Sequence, residues 1–73
     1  MIRRTNVFFA LLGPERTAIG LVRIHQASGL VEQFDDVSRS WRHLPDASFA
    51  EALADRRLDP TRGVALARAR GVL

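Results

Sequence analysis

The residues able to do chemistry in this chain are few. His25 and His43 are its two histidines, and it has no Cys. Each histidine closes a predicted strand, so the imidazoles could meet in space, with Asp35 or Asp36 as a third group. A zinc site wants three or four protein ligands, and no recognised ligand spacing is written here. A nucleophile would need Ser or Thr beside an activating base. Ser28, Ser38, Ser40 and Ser48 each have a turn or capping role instead. The chain holds no G-x-S-x-G, no glycine loop that could cradle a phosphate and no informative pair of carboxylates. Asp35-Asp36 reads as turn chemistry. So short a chain also has little room for a concave pocket. The expectation is a protein with no catalytic residue, no metal, no cofactor and no small-molecule substrate.

Arginine is the remaining chemical resource. All eleven basic residues are Arg, against eight acids, for a net charge of +3. The guanidinium does not titrate at working pH, which explains a pI near 11.3. Residues 1–54 balance six Arg against six acids, while residues 55–70 hold five Arg and two Asp. The whole surplus is therefore C-terminal. Arg, Ala, Leu and Val are all favoured by high-GC coding, so composition alone explains much of it. On a helix from Pro60 to Arg70, the residues Arg62, Arg68 and Arg70 do not form one stripe. A groove-reading helix would gather them, and Pro60 and Gly63 weaken it further. The tail reads first as a closing helix. Nucleic-acid binding through Arg56, Arg57, Arg62, Arg68 and Arg70, with Arg3 and Arg4 added in space, is the alternative.

The elements that must position these residues follow from patterning. Thr5 to Leu12 reads as a strand stopped by Gly13-Pro14. Arg3 and Arg4 before the apolar run resemble an export signal, but the run is too short and lacks a small-residue cleavage pattern. Thr17 to His25 is a second strand, and Leu30 to Phe34 a third. Gln26 to Gly29 turns between them, with Gly29 suited to a left-handed conformation. Ser40 to Leu44 makes a short fourth strand, ended by Pro45. Loops this short join only antiparallel neighbours. Ser48 and Glu51 form a capping box, with Asp46 as the competing cap, and Phe49 and Leu53 share the face that should dock. Asp59-Pro60 opens a second helix, with Asp59 as cap, and Gly71 ends it.

This order of parts resembles a loose class of short uncharacterised proteins of high-GC bacteria and their phages. The likeness rests on Phe34 through Trp41 and Leu58 through Gly71. It implies a small strand meander followed by a helix opened at Asp-Pro, and no chemistry.

The fold expected is α+β, one domain over residues 1–73. It is an antiparallel meander of three to four strands with two short C-terminal helices packed on one face. A 73-residue chain buries only about 60% of its unfolded surface, so outside support from a partner is expected. The first strand is apolar on both faces: Val7, Phe9 and Leu11 on one, Phe8, Ala10 and Leu12 on the other. One face should await a partner. Phe8 and Leu12, or else Phe9 and Leu11, are the expected protein interface, with Trp41 either joining them or closing the core. The function expected is a non-enzymatic interaction module, a small regulator or adaptor that forms a homo-oligomer or binds another protein. It would work in the cytoplasm, without a membrane.

Overall fold

A computed structural model describes residues 6–73 of the chain. Thr5, expected to open the first strand, lies outside the described residues, as do Arg3 and Arg4. The elements run β1 (Val7–Leu12), β2 (Ala18–Ile24), β3 (Val31–Asp35), β4 (Ser40–His43), α1 (Asp46–Ala54), β5 (Leu58–Asp59) and α2 (Gly63–Ala69). The fold is α+β. The strands form one antiparallel sheet in the order β4-β3-β2-β1-β5.

The first four strands are a simple meander because each connection is a tight turn. Between β1 and β2, Glu15 and Arg16 both adopt φ of 58°, a left-handed pair. Between β2 and β3, Gly29 takes φ 74° and its N–H bonds to the carbonyl of His25 at 2.6 Å, as expected of that glycine. Between β3 and β4, the Asp35 carboxylate accepts the N–H of Val37 at 2.9 Å, and Arg39 closes the turn with φ 57°.

Sheet register sorts the side chains into two sets. Phe8 stands opposite Arg23, Ala10 opposite Leu21, and Phe34 opposite Trp41. On this face Phe8, Leu21, Phe34 and Ala67 form the buried cluster, with Trp41, Leu66 and Val72 packed around it. The Trp41 ring lies 5.2 Å from Phe34 and 6.3 Å from Phe8, tilted in both cases, as ring quadrupoles prefer. Helix α2 is the cover. Its Gly63 and Ala67, four residues apart, are buried against the sheet. Phe9 alternates with Phe8 and points the other way. Its ring meets Phe49 of α1 at 6.4 Å, edge to face. The helix cover is thus divided: α2 lies over the aromatic cluster, and α1 reaches β1 through Phe49.

Four local expectations change. Leu58–Asp59 is a fifth strand, paired with Ala10 and Leu11, not the start of a helix. Asp59 instead accepts bonds from the Thr61 N–H and hydroxyl, an Asx turn that delivers the chain to α2 at Gly63. Helix α1 begins at Asp46, with Pro45 as its flanking residue, so Ser48 is inside it and caps nothing. Asp46 is in the first turn, where a negative charge suits the helix dipole. Finally, Leu53 does not dock. Ala52 takes the buried position, three residues from Phe49, and Leu53 stays 58% exposed.

Gly63 sets how closely α2 approaches. A Cβ there would overlap the Phe8 carbonyl and lie 2.7 Å from the Phe9 nitrogen, with backbone that cannot swing away. Replacing Gly by Ala inside a helix ordinarily stabilises by about 1 kcal/mol. Here overpacking should win, and Gly63→Ala should cost about 1–3 kcal/mol. Urea denaturation measures it, and a higher midpoint for the variant would refute the close approach.

Candidate protein-binding face

The two faces of β1 have separate fates. Phe8 and Leu12, one of the two expected interface pairs, are buried within the chain. Phe9 and Leu11, the other pair, are half-buried. Their side of the sheet also carries Val22, fully buried opposite Phe9. Trp41 is half-buried and belongs to the aromatic cluster.

Register adds something that strand patterns alone could not show. Val7 pairs with Ile24, and Ile24 pairs with Val31, so three β-branched side chains stand in a row across β1, β2 and β3. The row lies on the Phe9 side of the sheet, since Val7 and Phe9 alternate with Phe8. Val7 is 36% exposed, and Ile24 and Val31 are half-buried. Leu44, whose N–H bonds to the Val31 carbonyl at 2.9 Å, brings a half-buried side chain up to its β4 end. Leu30, one residue before Val31, is 53% exposed.

The charged residues are mostly spoken for. Arg70 donates to both oxygens of Asp36, at 2.8 and 2.9 Å, and its own carbonyl accepts from Arg39 at 2.7 Å. Arg62 donates to Asp59 at 2.7 Å and to the Arg16 carbonyl at 3.0 Å. Arg57 sits 3.6 Å from Asp55, too far for a hydrogen bond, and its Nε is buried without a partner among the described residues. Arg56 and Arg68 are exposed and make no ion pair among the described residues. The five C-terminal arginines are therefore tied to three different acids or left apart. They do not form a single basic stripe.

A second arginine site escaped sequence reading. Arg23 on β2 donates to Glu32 on β3 at 2.9 Å, and its guanidinium lies 4.0 Å over the Trp41 ring. Both charges are mostly buried, and the ring supplies a cation–π contact that makes the position tolerable. Only the β2–β3 register places these residues opposite each other. The turn length before Gly29 was the one available clue.

His43 ends β4, His25 lies one residue past the end of β2, and neither gathers a third ligand among the described residues. No group of three or more His, Cys, Asp or Glu able to hold a metal ion occurs among the described residues. His25 Nδ1 lies 3.3 Å from the Ser28 hydroxyl, which also accepts the Leu30 N–H, so Ser28 works as a turn residue. A shallow groove of about 470 Å³ passes Asp35, Arg42 and His43. Asp35 and Arg42 pair at 2.9 Å, which occupies the charges that would hold a ligand. The N–H of Val37, above all, holds the Asp35 carboxyl below its usual range, with Ser38 and Arg42 adding to it. Among the described residues no helix is long and apolar enough to cross a membrane.

Asp59 carries a pH-dependent part of this arrangement. The Thr61 hydroxyl first, then Arg62 and the Thr61 N–H, lower its carboxyl from 3.8 to about 2. The fold therefore favours the charged form. Its contribution is present above pH 3.8 and is lost as pH falls towards 2. Asp59→Asn should flatten the fall of the urea midpoint across that window. An unaltered acid profile in the variant would show that Asp59 is not coupled to folding.

No family model, curated protein or solved structure matches the chain.

Proposed function

We propose that the protein is a non-enzymatic interaction module, a small regulator or adaptor that binds protein through the Phe9 side of its sheet and associates with itself. The observation that carries this reading is the row Val7–Ile24–Val31, apolar, aligned across three strands and only partly covered. The reading assigns no catalytic residue and no cofactor. It places the protein in the cytoplasm, where a chain without Cys needs no oxidising compartment.

Magnitudes decide how much surface the interface must use. Full burial of a Val or Ile side chain is worth about 1.5–3 kcal/mol, and these three are already half-covered, so the row yields roughly half of that for each. Association costs about 4–15 kcal/mol in lost freedom before any affinity appears. The row alone is too small. Leu53 on α1, more than half exposed, must join it.

Sedimentation at increasing concentration tests this reading. The mass of the wild type should rise, and Val7→Asp, at a position 36% exposed, should suppress the rise while its urea midpoint shows that the fold survives. Equal association of both proteins would refute the face. A labelled random-sequence duplex, titrated across a salt series, tests the alternative. We expect weak binding at all salt concentrations. Tight binding that falls steeply with salt, with a log–log slope of about −0.9 per phosphate contact, would transfer the function to the arginines.

A further inference from the structure

The exposed sides of the two helices carry complementary features. On α1, Asp46, Ala50 and Leu53 follow one another at i, i+4 and i+7, so they share a stripe. All three are exposed, and Leu53, at 58%, is the most exposed large apolar residue of any helix or strand among the described residues, ahead of Ile19 at 56% and Val64 at 43%. Asp46 makes no ion pair among the described residues. Helix α1 holds acids and no base. On α2, Val64 and Arg68 are four residues apart and share a stripe of their own. Val64 is exposed, and Arg68 makes no ion pair among the described residues. Helix α2 holds a base and no acid.

We infer that the occupant of the α1 side is a second copy of this chain, which presents its α2. Laid antiparallel, Leu53 stands opposite Val64 of the second copy, and the long Arg68 side chain spans the remaining offset of about 4.5 Å along the axis to Asp46. The helix dipoles then oppose, which also favours this direction. The inference rests on the proposed self-association and names the surfaces that make it. Because α1 and α2 lie on different sides of the sheet, the contact is head-to-tail. Each bound copy leaves a free α1 at one end and a free α2 at the other. Such contacts continue into open chains unless the rotation closes a ring. Helices of nine and seven residues cover little area, so the association is weak and concentration-dependent.

Charge exchange tests it. Asp46→Arg alone and Arg68→Asp alone should each weaken association about fivefold or more, by losing one exposed pair and gaining a repulsion. An equimolar mixture of the two variants should regain it, because every junction then has one acid and one base. Leu53→Asp should abolish association without rescue. Urea midpoints for each variant separate these effects from loss of fold, since a base at the start of α1 costs about 0.3–1 kcal/mol. If association is lost in Val7→Asp yet indifferent to both charge changes, the second-copy geometry is wrong and the binding face stands. If the wild type stays monomeric throughout, both fall.

Discussion

The contact between the backbone of α2 and the backbone of β1 at Gly63 organises the molecule. No side chain fits between them: a Cβ at Gly63 would run into the Phe8–Phe9 peptide. That closeness lets Ala67, one turn on, reach the sheet and seal the cluster of Phe8, Leu21 and Phe34. A small domain has few apolar side chains to spend, and close packing is how this one excludes water with an alanine. The segment before α2 exists to deliver Gly63. Strand β5 fastens it to Ala10 and Leu11, and the Asp59 turn redirects it over the sheet. At the other end of α2, Arg70 clamps Asp36 on the β3–β4 turn, and Arg39 returns a bond to the Arg70 carbonyl.

The same contact explains why the Phe9 side of the sheet is the one left open. Helix α2 is drawn to the Phe8 side by a fit that only glycine allows. Helix α1 has no comparable fit. It docks through Phe49 and Ala52, and its one leucine, Leu53, stays mostly exposed. The side with the aromatic cluster is therefore finished within the chain, while the row Val7–Ile24–Val31 is only partly covered. A central strand with apolar residues on both faces needs cover on both.

Much of this was legible from the residues. The meander, the turn at Gly29, the stop at Pro45 and the turn role of Asp35 all follow from local chemistry that has one reading. The failures share a cause. Asp59-Pro60 gives the same signal for a helix cap and for an Asx turn, since in both the carboxylate accepts a nearby N–H. Only the pairing of Leu58 and Asp59 with β1 decides between them, and that partner is nearly fifty residues away in sequence. Periodicity favours Leu53, four residues from Phe49, for the docking face, yet Ala52 takes the buried position. The Arg23–Glu32 pair and the Val7–Ile24–Val31 row depend on register, which strand patterns leave undefined. Gly63 looked like a weakness in a helix, and its value appears only once the opposing backbone is in place.

The arginines show how little a charge count says about a surface. Four of them pair closely with acids among the described residues, at positions 23, 42, 62 and 70, and Arg57 lies 3.6 Å from Asp55. To hold phosphate, Arg70 would have to leave a two-oxygen contact with Asp36, and Arg62 would have to leave Asp59, which anchors the approach to α2. Arg39 is held by the Arg70 carbonyl and lies 5.2 Å from the Phe34 ring. A phosphate backbone is engaged by arginines that are free and gathered. Here the guanidinium groups serve mainly as crosslinks between turns and helix ends, a use for which their planar, multiple donors suit them better than lysine would. Of the C-terminal surplus, Arg62 and Arg70 are fastenings between turns and helix ends, while Arg56 and Arg68 make no ion pair among the described residues.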